Sequence, residues 1–100
     1  PAQGNNAYIF PGIGLGIHAS SARLVTQKMF LTAAQVLANS VTDSELSDGS
    51  IYPKLTRVRQ VSHAIAVAVC RIAQQERLTD AELPKDVEEF VRLLMYEPDY

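Results

Sequence analysis

Apolar positions in this chain recur every three or four residues through most of its length, and the alternation that marks a half-buried strand is missing. The spacing predicts an all-α piece. A first helix is expected from about Asn6 or Phe10 to about Ser20: Asn6 can cap an amino terminus, while Pro11 either kinks the helix or serves as its first-turn residue. Thr26 opens a second helix to about Asn39, with Met29, Phe30, Ala33, Ala34 and Leu37 on one face. Thr42-x-x-Glu45 has the capping-box pattern and introduces a short turn that Gly49 ends. The clearest amphipathic element runs from Leu55 to about Arg77. There Val58, Val61, Ile65, Val69 and Ile72 form a stripe, and Ala64, Ala66, Ala68 and Ala73 let neighbouring helices approach closely. Thr79-x-x-Glu82 repeats the capping pattern, and a last helix from Pro84 to Tyr96 carries Val87, Phe90, Val91 and Leu94 before Pro98 stops it.

Composition narrows the function classes. At 100 residues and 47% hydrophobic content, the chain forms one domain or less, able to remove about 65% of its unfolded surface from water. Its longest purely apolar run, Ala64 to Cys70, is far short of the roughly 20 residues of a membrane span, so no membrane partner is expected. The net charge of −2, with acids and bases interspersed, offers no basic stripe for nucleic acid. Cys70 is the sole cysteine and lies in an apolar helical pattern, which fits a buried bystander thiol in a reducing compartment. The opening Pro1-Ala2-Gln3, with neither Met nor a leader pattern, reads as part of a longer polypeptide.

Candidate chemistry concentrates at the front of the chain. Asn5 and Asn6 are neutral carboxamides carrying both donors and an acceptor. They can address a carboxylate, a hydroxyl or a nicotinamide carboxamide, and a helix beginning after them would aim free amides at an anion. The plain alternative is an Asn-Asn turn that only caps a helix. Gly12-x-Gly14-x-Gly16 departs from the dinucleotide fingerprint, whose third glycine comes one position later and which follows a strand; close helix packing suits these glycines better. His18 and His63 lack metal-ligand spacing. Asp43, Glu45 and Asp48 lack the EF-hand order, and Ser20, Ser21 and Ser62 lack a base at recognisable spacing. Tyr96 and Tyr100 suit packing of the tail.

The run Gln3-Gly4-Asn5-Asn6-Ala7-Tyr8-Ile9-Phe10-Pro11-Gly12 resembles the Gln-x-Asn-Asn-x-Tyr-x-Phe-Pro-Gly signature near the carboxyl end of malic enzymes. Thr42-Asp43-Ser44-Glu45-Leu46, Gly49-Ser50-Ile51-Tyr52-Pro53 and Val61-Ser62-x-x-Ile65-Ala66 resemble, in order, the segments that follow it. Met95-Tyr96-x-Pro98-x-Tyr100 is similar to the tail of bacterial members. The resemblance implies a C-terminal helical segment of a larger α/β enzyme with a Rossmann-type NAD-binding domain. Residues 1–20 would be a cleft loop and helix, 21–80 a helical layer, and 81–100 the last helix and tail. It implies oxidative decarboxylation of (S)-malate to pyruvate and CO2 with reduction of NAD or NADP. Asn5 and Asn6 would line the cleft as both substrate-binding and cofactor-binding residues. The catalytic groups and the ligands of Mg2+ or Mn2+ would lie outside this chain, so the segment alone would be inactive. The rest of the enzyme chain and a homo-oligomer, dimer or tetramer, are the implied partners. The implied location is cytoplasmic, or mitochondrial if the source is eukaryotic. A competing reading is a stand-alone helical interaction module that uses the stripe Val58 to Ile72, with a nucleotide-phosphate binder a distant third.

The periodicity places Val61 in the core, so Val61→Asp should bury an unpaired charge and unfold the helical layer. Circular dichroism of the variant should show the loss, and an unchanged helical signal would place that face elsewhere.

Overall fold

The computed structural model describes residues 2–42, 47, 49 and 57–96, with the backbone alone for 2–8. Among the described residues four helices have defined bounds: α1 (Ala2–Ser20), α2 (Gln27–Asn39), α3 (Val58–Gln75) and α4 (Val87–Tyr96). The described residues contain no strand, in keeping with the all-α expectation.

α3 is the central helix, because apolar residues cover more than one of its faces. On one side Val61, Ile65, Val69, Ile72 and Ala73 pack with Ile9 and Ile13 of α1 and with Met29, Ala33 and Leu37 of α2. On the other, Ala66, Val67 and Cys70 pack with Ala19 of α1 and with Val87 and Val91 of α4. The stripe Val58 to Ile72 is therefore spent on the chain's own core. The interaction-module reading loses its support there.

Two glycines set the spacing between α1 and α3. A Cβ at Gly12 would lie 2.7 Å from Ile65 Cβ, and one at Gly16 would lie 2.6 Å from Val69 Cβ. Neither distance is sterically possible, so the α1 backbone rests directly on the β-branched ridge of α3. Contacts that step from Gly12–Ile65 to Gly16–Val69 show α1 and α3 running parallel. Gly14 differs, since a Cβ there would meet nothing within 4 Å. α2 runs antiparallel to α3: Lys28 pairs with Glu76 at one end, and Arg57 Nη2 donates to the Ser40 carbonyl at 2.8 Å at the other. α4 is antiparallel as well, with Glu88 against His63 and Arg71 and Tyr96 against Arg59.

Helix ends follow local chemistry, with three departures from expectation. Thr26 caps α2 as predicted, its Oγ1 accepting from Met29 N at 3.2 Å, while the Met29 sulfur takes the place usually filled by Glu or Gln and accepts from Thr26 N. α3 closes on Arg77, at φ 56°, with Leu78 N donating to Ala73 O and Arg77 N to Gln74 O. That is the Schellman pattern with arginine in the left-handed position. Arg23 braces it, its own amide donating to Leu78 O and its guanidinium to Arg77 O.

The first departure concerns Asn6, which does not cap α1. The helix already includes Ala2, so Asn5 and Asn6 are helical and do not form a loop that feeds a helix. Second, of the two roles open to Pro11, the first-turn one is not taken. The proline sits inside the helix on an exposed face, where water can replace the backbone bond it forfeits. Third, α4 starts at Val87 rather than Pro84, because Asp86 Oδ1 accepts from Glu89 N at 3.0 Å, whereas Thr79 Oγ1 only makes a local turn with Ala81 N. The predicted turn at Thr42-x-x-Glu45 and the start at Leu55 lie outside the described residues. Gly49 does hold a left-handed φ of 83°.

Gly12→Ala should destabilise the protein by about 1 to 3 kcal/mol through forced separation of α1 and α3. Gly14→Ala should leave stability unchanged or raise it by up to about 1 kcal/mol through helix propensity. Urea unfolding midpoints of the two variants check the contrast.

Candidate functional site

Parallel packing of α1 on α3 brings the amino-terminal ends of both helices to one end of the bundle. The carboxyl end of α2 joins them through the Arg57–Ser40 bond. Asn5 and Asn6 occupy the first two turns of α1 at that end. Their side chains lie outside the described residues, so the structure places their backbone and not their carboxamides.

Periodicity did not single out Arg57 at this end. The signal lay in its position. A cation at a helix amino terminus opposes the local dipole and needs another partner, which the last turn of α2 supplies through the Ser40 carbonyl. Ser40 Oγ in turn donates to Val36 O at 2.7 Å. The carboxyl end of α2 is thereby tied to the start of α3 beside the Asn5–Asn6 end.

The other candidates settle into structural roles. Gly12 and Gly16 are filled by Ile65 and Val69 and have no room for a phosphate, as the packing reading expects. Ser20 Oγ donates to Ile17 O at 3.5 Å, and Ser62 Oγ is buried without a hydrogen-bond partner among the described residues. Neither is hydrogen-bonded to a base among the described residues. His18 is exposed in the last turn of α1, and the His63 Nε2 lies 2.7 Å from the Glu88 carbonyl, tying α3 to α4. Among the described residues no three His, Cys, Asp or Glu side chains gather as a metal-binding group. Asp43, Glu45 and Asp48 lie outside them. No helix of the described residues is long and apolar enough to cross a membrane.

A small open cavity of about 220 Å³ lies between α3 and α4, lined by Arg59, Gln60, His63, Arg92, Met95 and Tyr96. The guanidiniums of Arg59 and Arg92 stand 5.3 and 6.0 Å from the Tyr96 ring centroid, which anchors the end of α4 by cation–π contact. Arg92 Nε also donates to Glu89 Oε1 at 2.7 Å and holds that carboxyl below its usual range. The cavity falls short of the ~300 to 1,000 Å³ of typical ligand sites.

With this geometry in hand, comparison with known sequences decides the family. Residues 1–74 match the family described as "Malic enzyme, NAD binding domain". The chain belongs to the malic enzyme family. It is 46% identical over 101 aligned positions to the NADP-dependent malic enzyme of Sus scrofa, covering 100% of this chain and 18% of that protein. Identity is 45% to a mitochondrial NADP-dependent malic enzyme of Homo sapiens, with 100% of this chain and 17% of that protein covered. The NADP-dependent malic enzyme of Dictyostelium discoideum is 44% identical, with 100% of this chain and 18% of that protein covered. The chain thus spans less than a fifth of the length of the curated relatives it matches. The match over residues 1–74 takes in α1, α2 and nearly all of α3, so these helices fall within the stretch that the NAD-binding-domain family describes.

Burial pushes the Cys70 thiol up to about 11, against a smaller opposing pull from Arg71, and its Sγ lies 3.7 Å from the Gly16 carbonyl. In this malic enzyme segment the thiol should resist alkylation at pH 8, where about one in a thousand is thiolate. Timed iodoacetamide labelling should show modification only as the fold opens; prompt reaction in the native state would show an accessible sulfur.

Proposed function

We propose that this chain is the C-terminal helical part of an NAD(P)-dependent malic enzyme, with the Rossmann-type nucleotide fold completed by polypeptide outside it. The intact enzyme would oxidatively decarboxylate (S)-malate to pyruvate and CO2. The observation that carries the reading is the Gln3–Gly12 run as the opening of α1 at the end of the bundle where α1 and α3 both begin.

Asn5 and Asn6 are the residues of this chain assigned to the cleft, one or both holding malate or pyruvate and at least one near the nicotinamide. Their chemistry fits that assignment: a neutral carboxamide can donate to a substrate carboxylate or hydroxyl, or pair with the nicotinamide amide, without perturbing a hydride transfer by its own charge. When bound, NAD or NADP supplies the hydride acceptor, and Mg2+ or Mn2+, held by groups outside this chain, assists decarboxylation. The chain's own work is positioning. α1 is held against α3 at Gly12 and Gly16, so the first turns that carry Asn5 and Asn6 are fixed relative to the rest of the bundle. The catalytic lysine and tyrosine and the substrate-binding arginine expected of the family are supplied by the rest of the polypeptide, and this segment by itself is inactive. A dimeric or tetrameric enzyme, cytoplasmic or mitochondrial, completes the reading.

Asn6→Ala in the intact enzyme should lower kcat/KM for malate by about 1 to 3 kcal/mol, roughly 5- to 150-fold, because a ligand group loses its hydrogen-bond partner. Steady-state kinetics with malate, NAD or NADP and manganese measure it, and unchanged constants for both Asn5→Ala and Asn6→Ala would reject the assignment.

A further inference from the structure

The two sides of this bundle differ in charge. Across α1 and α2, Lys28 is the only Asp, Glu, Lys or Arg, and its ammonium is turned to Glu76 at 3.3 Å. The α3–α4 side instead carries Arg59, Arg71, Glu88, Glu89 and Arg92, interlinked as a solvated surface usually is. A helix that carries apolar side chains on its outer as well as its inner face is ordinarily a covered one.

Apolar side chains reinforce the contrast. Phe10 of α1 and Phe30 of α2 meet edge to face, with ring centroids 5.9 Å apart and planes at 79°. They nonetheless remain 51% and 39% exposed, and the adjoining Leu31 is 64% exposed. Leu24 and Val25, just before α2, are exposed as well. Single exposed leucines are ordinary, but an ordered aromatic pair with a leucine beside it on an uncharged face marks a contact surface. The inward side of α2 is already committed, since Met29, Ala33 and Leu37 are buried against α3.

We propose that the outer face of α1 and α2, centred on Phe10, Phe30 and Leu31, is the docking surface for the upstream polypeptide of the same enzyme. This rests on the malic enzyme reading. The occupant is an apolar, uncharged element of that polypeptide. Relatives carry more than four-fifths of their length outside the matched segment, which supplies ample chain. A covalently connected element also needs no large area to stay docked, because its effective concentration is high. Asn6 stands one helical turn before Phe10, so whatever covers Phe10 also closes over the start of α1. The docked element would thereby form the opposite wall of the proposed cleft.

The test uses the full-length enzyme carrying Leu31→Cys or, as a control on the charged side, Gln74→Cys, each alkylated in the native state and read by peptide mass spectrometry. Labelling at position 31 should be at least about tenfold slower than at position 74, because it waits for local opening. Equal rates would overturn the proposal. Protection at position 31 that disappears when dilution splits the oligomer, followed by light scattering, would overturn it in favour of a second copy as the occupant. Protection that persists in the smallest species supports the upstream polypeptide. Malate-dependent nicotinamide reduction by the unsubstituted enzyme is assayed in parallel. Its absence alongside persistent protection would reject the malic enzyme reading while leaving the docking face standing.

Discussion

The close crossing of α1 over α3 at Gly12 and Gly16 is the constraint on which the remaining arrangement depends. Because no side chain intervenes, backbone rests on the Ile65–Val69 ridge, and the contact fixes both separation and register. Register matters more than separation here. A parallel pair that steps together from Gly12–Ile65 to Gly16–Val69 brings the first turns of α1 to the same end as the start of α3, where Arg57 bonds the carboxyl end of α2. Parallel neighbours place like dipole ends side by side, an unfavourable arrangement that the antiparallel α2 and α4 offset on the flanks of α3.

That geometry explains why α3 is apolar around so much of its circumference. A helix with one partner needs a single stripe, whereas α3 has three and fills two clusters with β-branched residues toward α1 and α2 and with smaller ones toward α4. Ala66 and Cys70 are fully buried there because only short side chains fit between α1 and α4 at that level. Burial at that level raises the thiol's pKa, and Ser62 Oγ, earlier in α3, is likewise enclosed.

Much of this was legible from periodicity and capping chemistry. Thr26 and Asn39 bound α2 where hydroxyl capping and the end of the apolar pattern put them, and the Val61–Ile72 stripe is buried as its spacing predicts. What periodicity could not supply was the occupant of that stripe, since a buried face looks the same whether it meets its own chain or a partner. The start of α4 was misplaced because Thr79-x-x-Glu82 and Pro84 both precede Asp86-x-x-Glu89, which has the same capping logic seven residues nearer the apolar run than Thr79. The start of α1 was obscured by two signals that each argue for a boundary, Asn6 as a cap and Pro11 as a first-turn residue. The tertiary contact at Gly12 and Gly16 overrides both.

The same override bears on the site. Gln3-Gly4-Asn5-Asn6 is a poor helix-forming sequence, with glycine and asparagine costing roughly 0.7 to 1 kcal/mol each relative to alanine, yet it lies within α1. Nothing in local propensity accounts for two carboxamides at those turns. Such disagreements between local preference and fold gather where a residue is kept for what it binds. The Phe10–Phe30 pair one turn further on is a disagreement of the same kind, between an ordered aromatic contact and its exposure to water. Both are accounted for by the proposed wall that the front of α1 shares with the larger remainder of a malic enzyme, in which the carboxamides would face ligand and the rings the chain that closes over it.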